Sequence, residues 1–121
     1  MKLFDCTTYY DEELIIDLRL NMLNQYVDKF VICEAKFSHS GRKKELNFDI
    51  NKFSKFKDKI IYILKKDVPE GIEKIDDTDD NNKIYSKSIF NSWKRENLQR
   101  NNIIEGLVNA DPNDWILISD L

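Results

Sequence analysis

The chain has 121 residues, 41% hydrophobic and 34% charged, with three Gly and two Pro. That length allows one compact domain over 1–121, and the apolar fraction suffices for a packed core, which excludes wholesale disorder. Nineteen Lys and Arg against 22 Asp and Glu leave a formal charge of -3. Duplex-binding proteins present a strongly basic face, so nucleic acid is not an expected partner. No apolar run approaches the roughly 20 residues of a membrane span. Asp5 interrupts any secretory leader before its core forms, and Cys6 and Cys33 offer neither metal spacing nor a disulfide framework. A reduced, cytoplasmic setting is therefore the expectation.

Lys2 to Tyr10 is short, aromatic and β-branched, the composition of a strand. Asp11, Glu12 and Glu13 then put acids where a helix N-terminus favours them, and Leu14, Ile15, Leu18, Met22 and Tyr26 follow at helical spacing. Phe30 to Cys33 is a continuous apolar run that reads as a strand buried on both faces. A polar stretch from Lys36 to Asn47 precedes a short helical or irregular segment, Phe48 to Phe56, and a third strand at Ile60 to Leu64. Pro69 and Gly71 break the pattern, and Asp76 to Asn82 is the most loop-like part of the chain. A second helix is predicted from about Ser86 or Ser88 to Val108, ended by Asn109-Ala110-Asp111-Pro112. Trp115 to Ile118 forms a fourth strand. Strands alternating with helices predict an α/β domain with a mostly parallel sheet. Functional loops in such sheets lie at the carboxyl ends of strands. This chain stops as its fourth strand reaches that loop, so it reads as cut short.

Polar residues on the second helix are the sharpest local signal. A helical wheel centred on Trp93 groups Phe90, Ile104, Leu107 and Val108 into a core face, with Asn97 and Arg100 in its middle. A polar side chain facing a core must be hydrogen-bonded, and a charge must be paired. Two readings of Arg100 are open: an i,i+4 ion pair with Glu96, or a contact with a polar or anionic ligand in a crevice. Arg95 falls on the opposite, solvated face. Asp120 follows the fourth strand and Glu34 ends the second, so two strand-end acids converge on one edge. Asp120 is either a turn residue or a ligand for a divalent metal, whose natural donors are carboxylate oxygens. His39, the sole histidine, sits beside Ser40 and Gly41 in a polar loop and is either solvated or turned toward a ligand. The acidic run at Asp76 lacks the glycine and closing glutamate of a calcium loop. Gly41, Gly71 and Gly106 are isolated, so no Gly-rich phosphate loop exists, and diphosphate binding would require metal and arginine. Cys6 and Cys33 lie on predicted strands and read as core.

The chain resembles glycosyltransferase family 17. The similarity runs through Phe4-Asp5-Cys6-Thr7, Glu12-Glu13, Arg19-Leu20-Asn21-Met22-Leu23 and Val27-Asp28-Lys29-Phe30-Val31. It continues through Glu34-Ala35, His39-Ser40-Gly41 with Lys43 or Lys44, and the long block Trp93 to Asn101 with Gly106-Leu107. It closes with Asp114-Trp115-Ile116-Leu117-Ile118-Ser119-Asp120. The order and spacing of these blocks carry the resemblance, and Val68 to Ser88 is the least matched segment.

The resemblance implies a GT-A-like (Rossmann-like) nucleotide-sugar-binding domain. It also implies inverting, metal-dependent transfer of N-acetylglucosamine from UDP-N-acetylglucosamine to a glycan or lipid-linked sugar hydroxyl. It assigns Thr7, Tyr9 and Glu34 to the nucleotide base and ribose, and Arg100 with Asn97 and Asn101 to the nucleotide or its diphosphate. Asp120 would be the first acid of an Asp-x-Asp metal motif holding Mn²⁺ or Mg²⁺, with Leu121 in its middle. The second acid and the catalytic base are then expected beyond Leu121, which leaves the chain inactive if it is no longer than this. The alternative expectation is a non-catalytic nucleotide-binding or self-assembling α/β module, its sheet edge open to a second copy.

Overall fold

The computed structural model describes residues 1–121. The chain runs β1 (Leu3–Tyr9), α1 (Glu13–Leu23), β2 (Lys29–Ala35), a first 3₁₀ segment (Ile50–Lys59), β3 (Ile60–Lys65), α2 (Asn81–Asn101), a second 3₁₀ segment (Asn102–Leu107) and β4 (Trp115–Ser119). The four strands form one sheet in the order β3-β2-β1-β4, with every neighbouring pair parallel. This is the α/β architecture expected from alternating elements. β1 and β2 are its centre: Phe4, Cys6, Val31, Ile32 and Cys33 are each essentially inaccessible, as near-continuous apolar runs in a parallel sheet require. No helix is long and apolar enough to cross a membrane.

Each face of the sheet carries its own core. On one, Ile16 and Leu20 of α1 and Phe53 and Phe56 of the first 3₁₀ segment pack with Tyr9, Phe30 and Ile32. On the other, Ile103 of the second 3₁₀ segment packs with Phe4, Cys6, Val31, Cys33 and Ile63. Each fully buried aliphatic side chain contributes about 1.5–3 kcal/mol by leaving water. Gly106 permits the second packing, because a Cβ there would stand 2.5 Å from Val31 Cγ1.

Two sequence expectations require correction. In α1 the inward side chains are Ile16 and Leu20, while Leu14, Leu18 and Met22 are exposed. The helix is apolar on several sides, so its periodicity did not select one stripe. In α2 the wheel is inverted: Trp93 is 62% exposed, as are Ile104 (70%) and Val108 (79%), and the buried residues are Asn91 and Gln99. α2 also starts earlier than predicted, because the Asp80 carboxylate accepts from Lys83 N–H at 2.8 Å as an N-cap. Its regular turns end at Asn101 and tighten into the 3₁₀ segment instead of continuing to Val108. β4 is as apolar as β2 yet largely exposed, with Trp115 at 61% and Ile118 at 53%. It pairs with β1 alone, at the edge of the sheet.

One ion pair ties α1 to the sheet. Arg19 Nε and Nη2 each donate to the buried Asp5 carboxylate of β1 at 2.7 Å, a two-pronged match that few geometries allow. Removing the arginine leaves an uncompensated buried carboxylate, so Arg19→Met is expected to destabilise the fold by about 3–5 kcal/mol. The Asp5→Val/Arg19→Met pair should recover part of that loss; urea denaturation of the three proteins checks it.

Candidate functional site

From β1 the sheet order runs outward through β2 and β3 on one side, with β4 on the other. The carboxyl ends of β1 and β4 therefore flank a topological switch point, where open α/β sheets bind ligands. A groove of about 330 Å³ opens at the carboxyl ends of β1 and β2, lined by Thr8 of β1, Tyr10 just after it, His39 and Lys44 after β2, and Gln99 of α2. That volume lies in the range of small-molecule sites, about 300–1,000 Å³. A separate cavity of about 80 Å³ between Gly41, Arg95 and Asn102 is too small for a nucleoside.

The groove wall after β2 is organised by Glu34. Its carboxylate has no exposed surface and accepts four hydrogen bonds. Lys44 Nζ and Asn47 N–H reach Oε2 at 2.7 Å each, while Tyr62 Oη (2.7 Å) and Phe48 N–H (3.2 Å) reach Oε1. Burial alone would raise this carboxyl, but donation from Asn47 N–H, Lys44, Tyr62 and Phe48 N–H outweighs it and holds the group below its ordinary value. Two donors per oxygen saturate a carboxylate, so Glu34 has no acceptor left for a ribose. It folds the 44–48 segment back onto the end of β2, and Lys44 is thereby set over the Tyr10 ring, 5.4 Å from its centroid.

His39 is carried on a small hairpin closed by a Phe37–Lys43 bridge and by Gly41 at φ +89°, a conformation that side chains rarely adopt. α2 holds this hairpin through residues one turn apart. Arg95 Nη1 donates to His39 O at 3.0 Å, with its guanidinium against Gly41, so Arg95 is not on a solvated face as the wheel placed it. Gln99 Nε2 donates to Cys33 O at 3.0 Å and Tyr9 O at 3.4 Å, and its Oε1 meets His39 Nε2 at 3.1 Å. The wheel's misplaced centre hid Gln99 from the sequence reading; a buried amide within a helix is a signal only once the inward face is known.

The next residue of α2 reaches the carboxyl end of β4, outside the lining of the groove. Arg100 Nη2 donates to Asp120 Oδ1 at 2.6 Å and to Glu96 Oε1 at 3.4 Å. The two strongest sequence candidates are thus in contact, at the carboxyl end of β4. Asn97 and Asn101 are not with them; they line a separate open groove of about 470 Å³ with Phe90, Trp93 and Lys94. Thr7 is buried within β1, and Tyr9, which touches the groove floor, packs its ring edge-on against Phe48 at 5.3 Å. Strand alternation turns Tyr9 into the core and leaves Tyr10 as the exposed aromatic at this edge. Burial pushes the Cys6 and Cys33 thiols up to about 12, so neither supplies a thiolate nucleophile. No three His, Cys, Asp or Glu side chains cluster to hold a metal ion. The chain's donor set at this edge is the pair of carboxylates on Arg100, Asp120 and Glu96, with Asp120 Oδ2 free of any protein partner. It fits a divalent cation only where a ligand's phosphates supply further oxygens, the usual arrangement for Mg²⁺.

Glu34 yields a test with a definite sign. Its folded value lies below the unfolded one, so its stabilisation is complete above the ordinary carboxyl value of about 4.3 and is lost as pH falls through the lower folded value. Glu34→Gln strands the Lys44 ammonium and is expected to cost about 3 kcal/mol at neutral pH. The acid limb of its stability–pH curve should also be flatter than that of the parent in urea titrations.

The glycosyltransferase family 17 profile matches residues 1–121, the whole of the chain. No curated protein and no solved structure matches it. The parallel α/β sheet, with its groove at the strand carboxyl ends, agrees with the profile match: this chain belongs to glycosyltransferase family 17.

Proposed function

We propose that the groove binds the nucleotide part of a UDP-sugar, UDP-N-acetylglucosamine, for inverting transfer to a glycan or lipid-linked sugar hydroxyl. The observation that carries this reading is the Arg100–Asp120 pair at the carboxyl end of β4, on the same edge of the sheet as a groove of nucleoside size at the ends of β1 and β2. With no Gly-rich loop to cradle phosphate, a guanidinium and a metal-binding carboxylate are the remaining means of neutralising a diphosphate. Arg100 would exchange its bond to Asp120 for one to phosphate, freeing the carboxylate. Asp120 and the nucleotide phosphates would hold Mn²⁺ or Mg²⁺, which when bound stabilises charge on the departing diphosphate. Tyr10 offers an exposed ring to the base, while Thr7, Tyr9 and Glu34 support the strand ends from within.

Calorimetric titration of UDP with Mn²⁺ is expected to show binding that chelator weakens. Arg100→Ala should weaken it about tenfold or more, the worth of a charge-assisted hydrogen bond. The fold should be unaffected, since Arg100 and Asp120 are 41% and 73% exposed and such pairs contribute little to stability. Unchanged affinity in folded Arg100→Ala would remove Arg100 from the site.

β4 favours a second reading, a non-catalytic module that assembles through its sheet. Trp115, Ile116, Leu117 and Ile118 are all exposed on an edge strand whose outer backbone groups are unpaired. Concentration-dependent self-association in sedimentation velocity, suppressed by Ile118→Lys, is the outcome expected of that reading. A compact monomer at all concentrations would exclude it.

A further inference from the structure

We infer that Gln99 is a positioning residue that fixes the protonation pattern of His39, so that the groove presents His39 Nδ1 as a hydrogen-bond acceptor and selects a nucleoside by a donor it carries. The inference rests on the nucleotide reading of the groove and specifies what that groove recognises.

Gln99 Nε2 faces two backbone carbonyls, Cys33 O at 3.0 Å and Tyr9 O at 3.4 Å. A carbonyl oxygen only accepts, so the amide nitrogen must be the atom on that side and Oε1 the atom facing His39. Oε1 also only accepts, so His39 Nε2, 3.1 Å away, must carry the proton. In an uncharged imidazole one nitrogen donates and the other accepts. Nδ1 is therefore the acceptor, and it makes no hydrogen bond within the protein, while His39 stands exposed on the groove wall.

The ring is held on both sides. Gln99 is 6% exposed and ties the ends of β1 and β2 together, so it cannot turn to suit a ligand. Arg95, one helical turn earlier, fixes the His39 backbone through its carbonyl. A fixed acceptor in a site rejects a ligand that offers no donor there, because one of the two polar groups is then left unpaired. A uracil base offers its imide N–H and a ribose offers its hydroxyls; cytosine presents a bare ring nitrogen where uracil has the N–H.

The test uses four nucleotides and three proteins at mildly alkaline pH. UDP, CDP, UDP methylated on its imide nitrogen, and deoxy-UDP are titrated into the parent chain, Gln99→Met and His39→Ala. If the donor is the base, the parent binds UDP about five- to tenfold more tightly than CDP or the methylated form, the worth of one hydrogen bond. If it is a ribose hydroxyl, deoxy-UDP alone shows that loss. In both variants the preference should disappear, with UDP and the discriminated nucleotide then binding alike. His39→Ala keeps Gln99's bonds to both strands, so it reads the acceptor even if Gln99→Met fails to fold. Because the chain has one histidine, nitrogen NMR reports its tautomer directly, with Nε2 protonated and Nδ1 bare as the expected result. A protonated Nδ1, or equal affinity for all four nucleotides, overturns the inference and leaves nucleotide binding standing. Absence of binding by any of them overturns both.

Discussion

The Glu34 carboxylate is the constraint from which the candidate site is built. A bare carboxylate inside a protein costs several kcal/mol, and Glu34 is tolerated only because the chain after β2 returns to it with two backbone N–H groups and an ammonium, met by Tyr62 from β3. The polar stretch from Lys36 to Asn47 has few apolar residues to bury, so this charge gives it a defined path. From that path follow the place of Lys44 over Tyr10 and the mouth of the groove. The loop's shape is therefore electrostatic, whereas the sheet's is hydrophobic.

α2 works on the same logic. A helix lying over the face of a sheet meets methyl groups and needs an apolar stripe. The second half of α2 instead meets strand and loop carbonyls, and carbonyls need donors. Gln99 and Arg95 supply them at Cys33, Tyr9 and His39. Asn91 does the same earlier in the helix, exchanging a reciprocal pair of hydrogen bonds with the Glu73 backbone, each 2.8 Å long. The apolar packing that anchors the helix is handed to the 3₁₀ turn beyond it, at Ile103 and Gly106.

This division decides what could be read from the sequence. The strands were legible to within a residue or two because each is a short apolar or β-branched run between polar segments, and their parallel order followed from the alternation with helices. The Arg100–Glu96 ion pair was legible from its i,i+4 spacing and is present beside the bond to Asp120, but the core face that made Arg100 an anomaly is exposed. The inward face of α2 was not, because periodicity locates apolar stripes and this helix turns amides inward. Thr7, Tyr9 and Glu34 were placed at the right edge of the sheet, but whether a strand-end side chain points into the core or out of it depends on a register that composition does not contain.

The apolar residues that α2 turns outward complete the argument. Ile89, Phe90 and Trp93 on the helix, Ile104 and Val108 beyond it, and the whole of β4 are exposed. Soluble proteins rarely leave contiguous apolar surface of that kind without a use for it. β4 has the composition of a central strand and the pairing of an edge strand, and the two disagree only if nothing lies against it. The Arg100–Asp120 pair sits at the carboxyl end of β4, 41% and 73% exposed. Whatever covers that end of β4 would also desolvate the pair and, on the nucleotide reading proposed above, strengthen its hold on an anion. On that reading, occupancy of the sheet edge and affinity for a diphosphate are coupled through one arginine. The two readings of the chain, donor site and assembling module, meet on the same residue.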